Sequence, residues 1–295
     1  MTKQDQDWLA QRFEENRRHL RGVAFRMLGS LPEAEDAVQE AWIRLSRTDT
    51  SQVDNLQAWL TTVVGRVCLN ILRRRKTRRE APLETHLPDL VLSPEDGIDP
   101  EQEALLGDSV GLAMFVVLES LTPAERVAFV LHDVFAVSFD EIAEIIDRTP
   151  TAARQLASRA RRHVQGAPVP DVDLGGQWAV VDAFLAASRA GDFERLLSIL
   201  APEVVLRSDG GAARPARTLL VRGAQAAERA LTFRESAGTV TRILVNGMPG
   251  GIVWARDGSP FAVVAVTVRG GRIVELDFLN DPVRLAQLDL TALRG

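Results

Sequence analysis

The chain has 295 residues, of which 46% are hydrophobic and 25% charged, and its formal net charge is −5. This length predicts two or three domains, each large enough to bury a core. The composition excludes collagen-like, fully disordered and disulfide-scaffold proteins. The one cysteine, Cys68, has no partner for an internal disulfide, which favours a reducing cytoplasm.

Neither secretion nor metal binding is indicated by the sequence. Residues 1–7 contain no apolar core of the kind a signal peptide needs, and no stretch approaches the roughly 18 consecutive apolar residues of a membrane helix. We therefore expect a cytoplasmic protein. The four histidines and the one cysteine all precede position 170, so the chain offers few possible ligands for zinc. We therefore expect no metal or cofactor.

Opposite charges are segregated along the chain. Residues 66–79 carry seven basic side chains and no acid, and residues 148–163 carry five arginines and no acid. Residues 81–111 contain eight acids, four prolines and no Lys or Arg, which predicts an acidic, extended linker because spaced prolines interrupt helices and strands alike. A second break follows at Gly166–Pro170. The expected domains are 8–80, 111–165 and 174–295, joined by linkers at 81–110 and 166–173.

Helical periodicity dominates the first two domains. In Glu33–Leu45 apolar residues recur at three- and four-residue spacing, and the other face is acidic. Ser30 and Pro32 mark the start of this helix. Ala58–Arg79 predicts a long helix that ends in the first basic run, where cations suit the helix dipole. Seven cations exceed what the dipole alone explains.

The clearest motif, residues 138–164, consists of two short amphipathic helices separated by a tight turn. Thr149 suits the N-cap of the second helix and Pro150 its first turn. Asp147 stands in the turn, at a position that usually needs a left-handed backbone, which aspartate tolerates moderately well. The pattern favours a DNA-reading helix-turn-helix over a basic helix on an ordinary bundle surface. Donors for bases or phosphates cover the outer face of the second helix: Arg154, Gln155, Ser158, Arg159, Arg161 and Arg162.

From about residue 174 the pattern changes from helices to strands. Residues 177–190 and 193–200 predict two helices. Six later segments rich in Val and Ile predict strands at 204–207, 218–222, 240–245, 251–254, 261–269 and 272–279. We expect an α+β domain in which two helices lead into a curved antiparallel sheet with room for a pocket.

Several of these stretches resemble extracytoplasmic-function (ECF) sigma factors. Residues 24–30, 33–42 and 58–64 look like sigma region 2, and residues 121–131 with the helix-turn-helix look like region 4. The third domain is similar to the NTF2-like (SnoaL-like) domain that one group of these factors carries. The resemblance implies two all-α sigma domains followed by an α+β domain.

The resemblance also implies a transcription initiation factor, not an enzyme, with core RNA polymerase and promoter DNA as partners. It implies that Asp36, Gln39 and Glu40 bind the β′ clamp helices of the polymerase. The loop 52–56 and the helix from Trp59 would melt and read the −10 element. The side chain of Trp59 itself is expected to pack mostly in the hydrophobic core. The acidic linker would run through the RNA exit and active-site region of the polymerase. The −10 element would be bound by Asn55, Arg66, Asn70, Arg73 and Arg74, and the −35 element by Arg154, Gln155, Ser158, Arg159 and Arg162.

The third domain departs from the family in two motifs. A loop of Asp-Gly-Gly-Gly-Lys type is represented by Asp209-Gly210-Gly211 without the lysine, and a plain turn is the alternative interpretation. A terminal motif of Asn-Pro-Asp-Lys-Leu type is present in altered order. The resemblance implies control within the same chain, by contact between the C-terminal domain and the sigma regions, with an unknown small ligand in the pocket as a possibility. The matching terminal residues are Asn280, Pro282, Arg284 and Leu285.

Two other classes of protein compete with the sigma factor. An NTF2-like enzyme would use an acid or histidine as general base in an apolar pocket, but no histidine follows residue 170. Glu275 and Asp277 alternate with apolar residues and face either a pocket or water. A ligand-responsive helix-turn-helix repressor would leave the first 80 residues unexplained.

Overall fold

The computed structural model describes residues 3–48, 53, 55–78, 85–97, 112–165, 170–171, 173–236, 238–290 and 293. These residues form two compact units. The first unit contains the described residues up to 78 together with 117–165. The second contains residues 85–97, 112–116 and those from 170 onward. Part of the segment expected to be a linker is therefore built into the second unit.

The first unit begins with three helices that pack on one another, α1 (Lys3–Leu28), α2 (Leu31–Leu45) and α3 (Leu56–Arg78). Helix α2 buries the apolar stripe expected from its spacing, and Pro32 lies in its first turn. Ser30 is its N-cap residue but makes no side-chain hydrogen bond there. The shared core is apolar and almost fully shielded from solvent, and it includes Leu20, Phe25, Ala37, Leu60 and Val64.

Four further helices follow, α4 (Leu112–Ser120), α5 (Pro123–Phe129), α6 (Phe139–Ile146) and α7 (Pro150–Val164), with a π-helical turn at Val130–Val134 after α5. Helices α5 and α6 both begin with a reciprocal capping box, Thr122 with Glu125 and Ser138 with Glu141. Two orphan amides are satisfied at each of these helix starts, which fixes where the helices begin.

The second unit consists of helices around a seven-stranded sheet of order β1-β4-β5-β6-β7-β2-β3. Helices α8 (Leu174–Ala190) and α9 (Phe193–Ile199) come first, α10 (Ala224–Ser236) follows β3, and α11 (Pro282–Leu285) follows the sheet. The strands are β1 (Leu92–Pro94), β2 (Leu200–Asp209), β3 (Leu219–Arg222), β4 (Val240–Val245), β5 (Met248–Trp254), β6 (Pro260–Arg269) and β7 (Arg272–Leu279).

Each face of the sheet carries its own apolar core. Side chains of α8, α9 and α10, such as Trp178, Leu196 and Ala227, cover one face. The other face is covered by residues from the segment before α4, from α4 and from the C-terminal tail. On this second face the covering residues are Leu87, Leu90, Leu112, Leu285, Leu290 and Leu293. The second core thus joins parts of the chain that are about 200 positions apart in sequence.

The expected sheet was wrong in one respect. Strands β2 and β7 pair in parallel, with Leu206 opposite Leu276, whereas the other pairs are antiparallel. Parallel neighbours need a long crossover connection and no hairpin turn sets their register, so local turn signals give no hint of them. Helix α10 and strand β1 were also not expected. Among the described residues, no helix is long and apolar enough to span a bilayer.

Candidate promoter-binding and regulatory sites

The helix-turn-helix in α6 and α7 has the geometry that the sequence predicts. Asp147 adopts the left-handed conformation with φ 55° and ψ 58°. The hydroxyl of Thr149 accepts the amide of Ala152 at 3.2 Å, and Pro150 stands in the first turn. Helix α7 buries three alanines, Ala153, Ala157 and Ala160. These small residues let α7 lie close to its neighbours, which leaves the longer polar side chains pointing outward.

The outward side chains of α7 differ in how they are held. Arg154 lies over the ring of Phe139 at 5.1 Å, and Arg159 Nε lies 3.6 Å from Glu125. Arg161 is half-buried and donates to Asp133 at 2.5 Å, so this arginine ties α7 to the turn after α5. All five side chains expected to bind the −35 element are exposed, including Gln155, Ser158 and Arg162.

Helix α3 carries the first basic run, and its arginines divide into two groups. Arg66, Asn70, Arg73 and Arg74 are exposed. Arg75 instead points inward, where it donates to the Leu28 carbonyl at 2.7 Å and to Glu33. Arg75 therefore holds α3 against α2. Of the preceding loop, Asn55 is exposed and accepts the amide of Ala58 at 3.1 Å, while Gln52 and Asp54 lie outside the described residues.

The acidic face of α2 is only partly free. Asp36 and Gln39 are exposed, and Glu40 pairs with Arg44 one turn further along the same helix at 2.9 Å. Glu35 pairs with Arg21 of α1 at 2.5 Å. An exposed i,i+4 pair such as Glu40–Arg44 contributes only about 0.3–0.5 kcal/mol. Breaking this pair to let Glu40 bind another partner therefore costs little free energy.

Helices α3 and α6 are in direct contact inside the first unit. Arg66 Nη2 donates to the carbonyl oxygen of Glu144 at 3.2 Å. Gly65 lies so close that a Cβ there would meet Ile145 at 3.2 Å and Leu131 at 3.4 Å. A cleft of about 560 Å³ opens beside this contact and is lined by residues of both helix groups: Arg44, Arg47, Thr48, Trp59, Thr62, Val63, Arg66 and Glu144.

A second contact joins α1 to the turn after α5. The rings of His19 and Phe135 meet edge to face with centroids 5.4 Å apart, and Arg26 lies over the Phe135 ring at 5.0 Å. Burial and, to a lesser degree, the charge of Arg26 lower the pKa of His19. The histidine is therefore neutral where the two halves of this unit meet.

In the second unit, residues 86–95 are held against the sheet by a set of contacts that we call the linker clasp. Strand β1 pairs with β4, and Val91 and Asn246 exchange two hydrogen bonds of 2.8 Å. Asn246 has a φ of 50°, in the tight turn between β4 and β5. Arg242 of β4 pairs with Glu95 at 2.6 Å. The segment thus extends the sheet by one short strand.

Asp209 and Arg284 form the other half of the linker clasp. Asp209 Oδ2 accepts the Leu87 amide at 2.9 Å and Arg284 Nη1 at 2.8 Å. Arg284 Nη2 donates to the Pro88 carbonyl at 2.8 Å. Burial alone would raise the pKa of Asp209, but the hydrogen bonds from His86 and Leu87 and the charge of Arg284 outweigh it and lower the pKa. Asp209 is therefore ionised and can accept all of these bonds.

The two glycines after Asp209 allow close approach of backbone and side chains. A Cβ on Gly210 would collide with the Arg214 carbonyl oxygen, and one on Gly211 would collide with the carboxylate of Asp281. Asn280 is fully buried, and its side-chain amide donates to the Ser208 hydroxyl at 2.6 Å. The two motifs that resemble the family's regulatory sequences are therefore adjacent in the fold.

Glu275 and Asp277 are both shielded from water. Both are buried on β7 and share the guanidinium of Arg207 on β2. Burial, reinforced by the charge of Glu275, raises the pKa of Asp277 to about 8, although Arg207 opposes the rise. They lie on the sheet face opposite α8, α9 and α10, since their neighbours Leu276 and Phe278 point toward those helices.

Comparison with known proteins agrees with this architecture. The sigma-70 region 2 family matches residues 12–78, and the sigma-70 region 4 family matches residues 113–164. The ECF RNA polymerase sigma factor SigJ of Mycobacterium tuberculosis is 40% identical over 286 residues, which cover 92% of this chain and 91% of that protein. The probable ECF RNA polymerase sigma factor SigI of the same organism is 33% identical over 284 residues, covering 92% and 93%.

A solved structure extends the likeness to the whole fold. The crystal structure of M. tuberculosis SigJ matches with a TM-score of 0.79 and 36% identity, covering 96% of this chain and all of that one. Regions 2 and 4 in this order define the sigma-70 class of transcription initiation factors. Within that class the chain belongs to the ECF RNA polymerase sigma factors, and an α+β domain follows region 4.

Sequence reasoning missed three residues of the linker clasp. Asn246 precedes Gly247 between two strands, which is a hairpin signal, and nothing local indicates that its side chain binds a distant segment. Arg242 and Leu87 likewise have no motif around them. Their roles depend on partners more than 100 positions away, and the only signal in the sequence is that Leu87 and Leu90 are apolar residues in an acidic segment.

Proposed function

We propose that this sigma factor exists in a closed form, described here, and in an open form on core RNA polymerase. The observation that carries the proposal is the contact between α3 and α6. The −10 and −35 elements lie roughly 25 positions apart, about 80 Å of duplex, so the helices that read them must separate. In the closed form Arg66 instead bonds to Glu144.

In the open form, the exposed face of α2 with Asp36, Gln39 and Glu40 would bind the β′ clamp helices. The −10 element would be gripped by Asn55, Arg66, Asn70, Arg73 and Arg74. The −35 element would be read by Arg154, Gln155, Ser158, Arg159 and Arg162. All of these side chains except Glu40 are exposed, and Glu40 is half-buried in a weak pair. Work on the chromosome would confine the protein to the cytoplasm.

The linker clasp is the proposed regulatory element. The 33 residues between α3 and α4 connect region 2 to region 4, and the clasp holds residues 86–95 of them on the C-terminal domain. A shortened tether restricts how far regions 2 and 4 can separate. Release of residues 86–95 would free the acidic linker to enter the polymerase channels. The C-terminal domain would thereby act in the same chain as a brake on opening.

Run-off transcription with core polymerase, on the DNA upstream of the protein's own gene, tests this proposal. Arg284→Gln removes donors to Asp209 and to the Pro88 carbonyl, so we expect more transcript than from the unaltered protein. Arg256→Gln, at an exposed hairpin of the same domain, is the matched control. Equal transcription from all three proteins would contradict a regulatory role for the clasp.

A further inference from the structure

We propose that the C-terminal domain binds a small anion carrying a phosphate or carboxylate group at an arginine cluster formed by Arg214 and Arg217. Arg214 and Arg217 belong to the loop that follows Asp209, and Arg229 lies on α10. These residues lie outside regions 2 and 4, and the proposed binding of polymerase and promoter does not use them. The coupling of this site to the linker clasp, argued below, rests on the proposed function.

Geometry brings the two guanidinium groups together over one aromatic ring. Arg217 Cζ lies 4.6 Å from the centroid of Phe261, and Arg214 Cζ lies 6.0 Å from it. Phe261 itself is buried at the start of β6, while both arginines are half-buried. A guanidinium group held over a ring by a cation–π contact still has N–H donors that can bind a planar or tetrahedral oxyanion.

In the described part of the chain, no carboxylate forms an ion pair with Arg217. Arg214 Nη1 donates to a neutral partner, the Asn280 carbonyl oxygen, at 3.2 Å. Burial and the charges of Arg214 and Arg229 lower the pKa of Arg217. Two cations that repel one another, with their forks half-shielded from water, favour an oxyanion that accepts several donors at once.

The cluster and the linker clasp share one short loop. The amide of Arg214 donates to Gly210 at 3.1 Å, and the amide of Gly210 donates to the Thr218 hydroxyl at 3.1 Å. Asp209, next in the chain, accepts the Gly211 amide with one oxygen and the Leu87 amide with the other. An anion that relieves repulsion between Arg214 and Arg217 stabilises this loop conformation. Because Asp209 holds the linker only in that conformation, the anion strengthens the clasp.

Calorimetric titration of the full-length protein tests the site directly. Inorganic phosphate and benzoate are the two probes, each added at constant ionic strength in a chloride buffer, so that the phosphate and carboxylate sources are distinguished. We expect one saturable site per chain for at least one of them. Arg217→Gln should weaken that binding about tenfold, the loss that one charge-assisted hydrogen bond predicts. Arg256→Gln should leave the affinity unchanged.

Two further variants keep the test decisive. Arg217→Lys retains the charge without the planar fork, so an intermediate affinity is expected even if the glutamine variant fails to fold. Arg284→Gln, which breaks the clasp, should still bind the anion. No saturable binding of either probe, or equal weakening by Arg217→Gln and Arg256→Gln, overturns the site.

Hydrogen exchange at the Leu87 amide tests the coupling. Slower exchange on addition of the bound probe, absent in Arg217→Gln, supports it, because this amide donates to Asp209. Unchanged exchange in the anion-bound protein overturns the coupling. If Arg284→Gln left transcription unaltered, the proposed regulation would fail, whereas the calorimetric result for the anion site would stand.

Discussion

Two neighbouring arginines on α7 are expected to have different roles, one in structural support and one in reading bases. Arg161 and Arg162 are neighbours, but Arg161 donates to Asp133 whereas Arg162 is exposed. A side chain already committed to a carboxylate is a weaker candidate for DNA than one that is open to it. The two arginines therefore form a matched pair for mutation.

Arg162→Ala should lower initiation that depends on the −35 element, with a loss of about 1–3 kcal/mol of discrimination if the side chain contacts a base edge. Arg161→Ala should mainly lower thermal stability and leave the preferred −35 sequence unchanged. Run-off transcription on promoters with single substitutions in the −35 element measures both effects. An unchanged promoter preference in Arg162→Ala would remove this residue from the recognition surface.

The buried Asp277 is expected to make the stability of the second unit depend on pH. Its pKa is raised to about 8 in the folded protein by burial and by Glu275, whereas an unfolded aspartate titrates near about 3.9. Between these values the folded state holds a proton that the unfolded state has lost. By linkage, the free energy of unfolding falls as pH rises through this window.

Asp277→Asn removes this titrating group and should flatten the decline between about pH 4 and 8. Glu275→Gln, which also relieves the repulsion, should act in the same direction by lowering the pKa of Asp277. Urea unfolding monitored by hydrogen exchange of β6 and β7 amides at several pH values measures the effect. A variant whose stability falls with pH as steeply as the parent's would show that Asp277 is ionised in the folded protein.

Helices α3 and α6 of the first unit approach each other closely at Gly65. A Cβ on Gly65 would lie 3.2 to 3.4 Å from methyl groups of Ile145 and Leu131, which would have to shift by a few tenths of an ångström. Alanine adds only this one atom, and we expect its gain in helix propensity of about 1 kcal/mol to offset the tight contact. Leucine adds atoms that the tight contact with Ile145 and Leu131 cannot accommodate, at a cost of about 1–3 kcal/mol.

Gly65→Leu should thus open the contact between α3 and α6, whereas Gly65→Ala should not. The single cysteine, Cys68, lies one turn along α3, is fully buried and reports on this opening, since burial raises its thiol pKa and blocks reagents. Alkylation of Cys68 by iodoacetamide should be about five- to a hundredfold faster in Gly65→Leu. Equal alkylation rates in both variants would place the opening elsewhere.

At the scale of the whole molecule, the closed form predicts weak binding to DNA by the free protein. The chain is acidic overall, its basic runs are divided between two helices, and Arg66 is bonded to Glu144. Core polymerase is expected to supply the free energy that separates α3 from α6, so specific promoter binding should appear only with the holoenzyme.

Gel-shift titrations of the free protein and of the holoenzyme on one promoter measure this difference. Only the holoenzyme should bind specifically, with a salt dependence that reflects its phosphate contacts. Arg284→Gln should leave the free protein weak, because the contact between α3 and α6 remains. Tight, specific binding by the isolated full-length chain would contradict the closed form and favour the repressor alternative.

The amino-acid sequence by itself determined the local elements of this sigma factor. Helical spacing predicts α2 and α3, capping residues locate the start of α7, and the left-handed Asp147 was expected from its place in the turn. These features depend on neighbours within a few positions, which is why periodicity and cap chemistry reveal them.

Only the tertiary structure decided how distant segments are used. It pairs β2 with β7 in parallel, points Arg75 inward, and binds Leu87 to Asp209 across 122 positions. The sequence of an acidic, proline-spaced segment predicts a free linker because it shows neither the helical nor the strand period of a buried face. Its strand forms because β4, Asn246 and Arg284 supply hydrogen-bond partners that the segment lacks, and a partner far away in sequence leaves no periodic trace in it.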